Sequence, residues 1–235
     1  MYQFKSRVRY SETGVDARLS LMGIMNYMQD CSTFQSEDCG VGLAYLEEKN
    51  RAWLLSSWQI QILRRPALGE EITVCTWPYE IKGIYGLRNF TLMDGTGEYL
   101  VKANSCWFLL DTEAGKPVRV TREDVDAYGD EEPKLSMDYA PRKIRLPEHM
   151  EEAGRLVIMK HQIDTNHHVN NAQYVDMAVE PCRRKPTAGR SRRSAPSIKR
   201  RRCWEIRRSS CGRPERTDTW YLSAAETEAS LPMWN

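Results

Sequence analysis

One stretch with helical spacing, followed by four runs of strand character, limits what the first 130 residues can become. In "SLMGIMNYMQDC", Leu21, Ile24, Met25 and Met28 sit at i, i+3, i+4 and i+7, and Ser20 stands where an N-cap belongs. The spacing predicts a helix from about residue 21 into the mid-thirties with one buried stripe. The runs that follow are "AWLLSSWQIQIL", "EEITVCTWPYE", "YGLRNFTLMD" and "EYLVKANSCWFLLD". "RRPALGE" separates the first two, "DGTGE" makes a tight hairpin between the last two, and "DTEAGKP" ends the last. Ahead of the helix, Tyr2, Phe4, Val8 and Tyr10 alternate with Gln3, Lys5, Arg7 and Arg9, the pattern of a half-buried strand. A single helix can bury its stripe only by lying on one sheet. The expected class is therefore α+β, with an antiparallel sheet curved around a long helix. Methionines at helical spacing are ordinary core filler, so Met22, Met25 and Met28 do not by themselves mark an acyl-binding surface.

The remainder divides by composition. Residues 1–129 form the first domain and 130–143, polar and Pro-containing, read as a linker. Residues 144–180 begin a second unit whose order of strand, polar segment and capped helix echoes residues 4–30, which points to duplication. Residues 181–235 obey other rules. The first 180 residues hold 20 Lys+Arg against 27 Asp+Glu, whereas the last 55 hold 14 against 5. This Arg-rich tail is expected to be disordered or aberrant, leaving the second unit incomplete and the stripe Ala172, Val175, Val179 partly exposed. A nucleic-acid role for the tail is the weakest reading, since it contains no stacking pattern. No run of about 18 apolar residues suggests a membrane span. The seven cysteines are scattered and contain no C-x-x-C pair, so reduced thiols in a cytoplasm are the simplest expectation, with no metal site.

The segment "HQIDTNHHVNNAQYVDMAVE" carries the chemistry. Asp164, Asn166 and His168 are spaced by two, so in extended backbone they share a face, and a helix start follows at once. A carboxylate, an amide and an imidazole beside helix N–H groups suit hydrolysis of a carbonyl compound. The carboxylate or imidazole would activate water, the amide would orient it, and N–H donors would hold the oxyanion. A thiolate leaving group, with a pKa of about 8.5, needs little acid assistance. Asn and Asp also crowd where chains turn and helices begin, and Asn170 is expected to act only as a cap. His167 is expected to face away from the other three, and His161 to lie at the surface.

"DTNHHVNNAQYV" resembles the D-x-N-x-H-V-N-N-x-x-Y segment of the acyl-acyl-carrier-protein thioesterases. "RYSETGVDARLSLMGIMNYMQD", "RAWLLSSWQIQILRRPALGEEITVCTW" and "KANSCWFLLD" resemble the same family, so the likeness spans roughly residues 1–180. It implies a tandem hotdog fold and hydrolysis of the thioester between a fatty acyl chain and acyl carrier protein, without a cofactor. It places the catalytic residues at Asp164, Asn166 and His168, and the acyl pocket near Met22–Met28 and Trp53–Trp58. Arg64, Arg65 and Lys82 are candidates for steering an acidic carrier. The tail departs from the family: where a further catalytic acid belongs beside a cysteine, Ser210 precedes Cys211. An acyl-CoA thioesterase and a non-catalytic acyl-binding protein are the alternatives, and the oligomeric state is open, a homodimer included.

Overall fold

The computed structural model describes residues 1–129, 132–140, 157–165, 168–183, 203–210 and 218–225. Strand β1 (Tyr2–Arg7) leads through a short 3-10 turn to helix α1 (Leu21–Asp38). Helix α2 (Leu43–Glu48) then precedes β2 (Arg51–Ile62), β3 (Glu71–Lys82), β4 (Tyr85–Asp94) and β5 (Tyr99–Asp111). The short β6 (Lys116–Pro117) and α3 (Arg122–Asp126) close the first domain. Later come α4 (Asn171–Arg183), β7 (Cys203–Ser210) and β8 (Asp218–Ala225). The strands run β1-β3-β4-β5-β2-β8-β7 in one antiparallel sheet, with β6 beside β5.

The expected periodicities set this core. Leu21, Ile24, Met25, Met28 and Cys31 of α1 are buried against Ile60, Ile72, Val74, Phe90, Leu92 and Ala103 of the sheet. Each large side chain removed from water contributes about 1.5–3 kcal/mol. A bulge between Leu55 and Ser57 changes which residues of β2 face α1, so Leu55 before it and Trp58 after it both reach the core. Ser20 caps α1, its hydroxyl accepting from the Gly23 N–H at 3.0 Å. A Cβ on Gly23 would stand 2.7 Å from Leu19 Cδ1, so the first turn needs glycine where it meets the incoming loop. Ser20→Ala should lower unfolding free energy by about 1 kcal/mol, read as a shifted denaturant midpoint at constant slope.

Two expectations need correction. The tail is not wholly without regular structure: β7 and β8 form a hairpin, and β8 pairs with β2 from Ile62↔Asp218 to Ser57↔Ser223. "DTWYLSAA" supplies the β-branched, aromatic and small residues that such a strand requires. The rest of the tail lies outside the described residues. Nor is the stripe of α4 exposed, since Val175 is fully buried and Ala172 and Val179 nearly so, in one core with α1. Cover for α4 comes from α1, and β7 of the tail also lies against it. The described part of the linker, residues 132–140, runs across the outer face of the sheet and is fastened to it. Gln59 donates to the Asp138 carbonyl and accepts from the Ala140 N–H. Buried Asn89 accepts from Leu135 N–H and Tyr139 O–H, and the Trp77 indole donates to the Pro133 carbonyl. Polar side chains on that face hold the strap because buried amides must find partners.

The expected duplication is visible in the backbone. A 3-10 turn at Tyr10–Glu12 precedes the isolated bridge Thr13↔Leu19, the cap Ser20 and α1. A second turn at Lys160–Gln162 precedes Ile163↔Val169, Asn170 and α4. Hydrogen bonds recur at matching positions. Ser20 N–H to Glu12 O (2.9 Å) becomes Asn170 N–H to Gln162 O (2.8 Å), and Gly14 N–H to Arg18 O (2.9 Å) becomes Asp164 N–H to His168 O (2.7 Å).

Candidate active site

The second copy of this loop holds the candidate residues. The bridge Ile163↔Val169 closes a short loop at the start of α4, and the Asp164 N–H donates to the His168 carbonyl at 2.7 Å. In return the His168 N–H donates to Asp164 Oδ1 at 3.2 Å. Asp164 and His168 are thus brought together, both half-buried. They meet through a closed loop and not by the extended alternation expected from their spacing, because the bridge reverses the chain between them. The argument that His167 faces away loses its basis, and Asn166 and His167 themselves lie outside the described residues. Asn170 caps as expected, its Oδ1 accepting from the Ala172 N–H at 2.9 Å. His161 is exposed.

The position of the loop gives it chemical meaning. It abuts the N-terminus of α4, where the helix dipole favours negative charge. The first turn of α4 also meets the first turn of α1, with Gln173 Nε2 lying 3.5 Å from Met22 Sδ. In the first copy, Gly14 and Arg18 occupy the places of Asp164 and His168. That copy keeps the loop geometry without the carboxylate and imidazole.

Of the cations expected to steer a carrier, two are already paired. Arg64 makes a two-pronged contact with Glu70 (2.9 and 2.7 Å) and reaches Asp94 at 3.4 Å. The Arg64 guanidinium holds the Glu70 carboxyl below the usual range. Arg65 pairs with Asp16. Lys82 is exposed and forms no ion pair among the described residues.

Sequence reasoning misses one buried cation. Arg88 lies in β4 on the inward phase shared with Phe90 and Leu92, and burial lowers its pKa. A charge on the apolar phase of "YGLRNFTLMD" is the signal that could find it. Its Nη1 donates to Gln35 Oε1 and to Thr76 Oγ1 (3.2 Å), and its guanidinium lies 5.3 Å from the centre of the Tyr128 ring. Cys31, close by, has its thiol pushed up to about 12, mainly by burial. Among the described residues no helix is long and apolar enough to cross a membrane.

A family model described as the acyl-ACP thioesterase N-terminal domain matches residues 1–128. The chain is 27% identical over 188 residues to a chloroplastic acyl-[acyl-carrier-protein] hydrolase of Cuphea viscosissima, which covers 74% of this chain and 45% of that protein. It is 26% identical over 195 residues to oleoyl-acyl carrier protein thioesterase 2, chloroplastic, of Arabidopsis thaliana, covering 76% and 53%. The chain thus spans about half the length of these relatives. Among solved structures, an acyl-ACP thioesterase from Bacteroides thetaiotaomicron superposes with a TM-score of 0.66 at 24% identity, covering 76% of this chain and 72% of that one. The 12:0-ACP thioesterase from Umbellularia californica gives 0.62 at 21%, covering 76% and 69%. These structures share the α+β hotdog arrangement of a helix wrapped by an antiparallel sheet. With its first 128 residues matched to the N-terminal domain and its fold shared with these enzymes, the chain belongs to the acyl-ACP thioesterase family.

Proposed function

We propose that this protein hydrolyses the thioester joining a fatty acyl chain to acyl carrier protein, releasing the free acid and ending chain elongation. The observation that carries this reading is the closed loop pairing Asp164 with His168 at the N-terminus of α4, in a chain of the acyl-ACP thioesterase family. In this mechanism Asp164 or His168 takes the proton of the attacking water and Asn166 orients that water. The positive end of α4 favours the oxyanion. The carrier's thiolate then leaves without strong acid assistance. No cofactor or metal enters the scheme. Buried thiols such as Cys31 and Cys75 suit a reducing compartment, here proposed as the cytoplasm.

The test is direct. The purified full chain is given acyl-carrier thioesters and acyl-CoA thioesters over the same series of chain lengths. Release of free acid from the carrier substrates, faster than from the CoA series, is the expected result. Faster turnover of acyl-CoA would reassign the partner. Acyl binding without release from either would make this a non-catalytic acyl-binding protein.

A further inference from the structure

The two copies of the turn and loop are tied to their helices by different side chains. At the end of each 3-10 turn stands a residue whose side chain folds back on the turn's entry. Glu12 Oε2 accepts from the Arg9 N–H at 2.9 Å, and Gln162 Oε1 accepts from the Met159 N–H at 2.8 Å. The helix that follows then grips that same residue. In the first copy the buried Tyr27 donates its hydroxyl proton to Glu12 Oε2 at 2.6 Å. In the second copy Met177 stands at the place of Tyr27 and has no such donor. The grip comes instead from Gln173 in the first turn of α4, whose Oε1 accepts from Gln162 Nε2 at 3.3 Å. Gly23, without a side chain, holds the place of Gln173 in α1. Two unlike side chains at different helical positions thus do one job, so the grip is not a by-product of a repeated backbone. Gln173 is half-buried, its N–H bonds the Asn170 carbonyl at 3.0 Å, and its Nε2 lies 3.5 Å from Met22 Sδ of α1.

We propose that Gln173 and Gln162 are positioning residues for the thioester hydrolysis, fixing the loop of Asp164 and His168 against the N-terminus of α4. The inference rests on the acyl-thioester reading of the site. Gln162 lies two residues before Asp164, and its carbonyl accepts the Asn170 N–H at 2.8 Å. Its neighbour Ile163 makes the bridge to Val169 that closes the loop. Holding Gln162 by both carbonyl and side chain therefore holds the root of the loop. Gln173 belongs to the helix whose positive end, in the proposed mechanism, favours the oxyanion. The contact between the two amides thus sets the distance from the groups that take the proton to the field that stabilises the developing charge. An alkyl side chain at 173 would fill the same space but leave the Gln162 amide unanswered, and the loop would be freed to shift against the helix. A misplacement of about 1 Å can cost about 100-fold in rate. Neither glutamine touches the reacting atoms in this scheme, so their effect falls on turnover and not on substrate affinity.

Gln173→Met keeps side-chain length and helix propensity and removes the acceptor, whereas Gln173→Glu keeps the acceptor. Gln162→Met cuts the same contact from the turn, together with the bond to Met159. For each full chain, kcat and KM are measured on one acyl-carrier thioester. Amide hydrogen exchange is followed at Asn170 and His168, with Val179 farther along α4 as the control. Gln173→Met should lower kcat about 10-fold, change KM by less than about 2-fold, and speed exchange at Asn170 and His168 about 10-fold with Val179 unchanged. Gln173→Glu should regain the protection and most of the turnover. The double variant should be no slower than Gln162→Met alone, since the contact is already gone. A lower melting temperature in Gln173→Met with kcat and loop exchange unchanged would overturn the proposal and leave Gln173 a packing residue. If Gln173→Met does not fold, Gln162→Met decides, and a parent-like kcat there overturns the proposal equally. A parent that hydrolyses nothing, but whose loop loses protection in Gln173→Met and regains it in Gln173→Glu, sinks the catalytic reading and leaves the fastening of the loop in place. Undiminished hydrolysis in every variant keeps the catalytic reading and removes both glutamines from it.

Discussion

A His168→Ala chain should fold as the parent does and release free fatty acid about 10³-fold more slowly, the effect of losing a general base or its partner. Asp164→Asn should be nearly as damaging to turnover while leaving the loop shut. The reason lies in the hydrogen bond from the His168 N–H to Asp164 Oδ1 at 3.2 Å, which an amide oxygen can still accept. Asp164→Ala removes that acceptor as well, so it should lower both turnover and melting temperature. Comparing the two aspartate variants separates charge from loop closure. Full activity in Asp164→Asn would reduce the carboxylate to a fastener and remove it from the mechanism. If His167→Ala proved more harmful than His168→Ala, the imidazole would have been assigned to the wrong residue.

The largest stability effect is expected far from that loop, at Asp124. Its carboxylate accepts from Thr121 N–H (2.7 Å), Thr121 O–H (2.8 Å), Tyr45 O–H (2.9 Å) and Arg51 Nη1 (3.2 Å). These bonds tie α2, β2 and the capping box of α3 into one knot. Asp124→Ala strands Arg51 and opens the cap, and should cost about 3 kcal/mol in denaturant unfolding at neutral pH. Burial acts to raise the Asp124 pKa, but the Thr121 and Tyr45 hydrogen bonds and Arg51 outweigh it and hold the carboxyl below its usual value. A depressed folded-state pKa contributes stability that is complete above the ordinary aspartate range and fades as pH falls through the folded value. The parent should therefore lose stability on acidification in that window. The difference between parent and Asp124→Ala should shrink with it. An equal gap at neutral and strongly acid pH would show that the charge is not what holds the knot.

How much of this is legible in the residues depends on the range of the interaction. β1 to β5 and α1 follow from period-two and helical spacing within single segments, and Ser20 announces its own cap. The cover for α4 is not legible in the same way, because neighbours in sequence are not its neighbours in space. Val175 and Val179 pack with α1, some 150 residues earlier in the chain, and β7, after residue 180, also lies against α4. β7 and β8 escape for a related reason: arginine content averaged over the whole tail hides eight-residue stretches of strand character. At the site, the residue types point to Asp164 and His168, but the geometry that unites them comes from the Ile163↔Val169 bridge, which no spacing rule contains. Arg88 is hard to find because its meaning depends on Gln35 and Tyr128, which belong to other elements.

The repeated loop has a consequence for stoichiometry. One backbone knuckle is built twice, but only the described second copy pairs a carboxylate with a histidine, at Asp164 and His168, while Gly14 and Arg18 stand at those places in the other. On the proposed assignment, each chain of 27.3 kDa handles one thioester at a time. The first knuckle, on that assignment relieved of chemistry, uses its side chains for fastening, with Asp16 paired to Arg65 and Arg18 donating to the Arg65 carbonyl as the chain delivers α1 to the core.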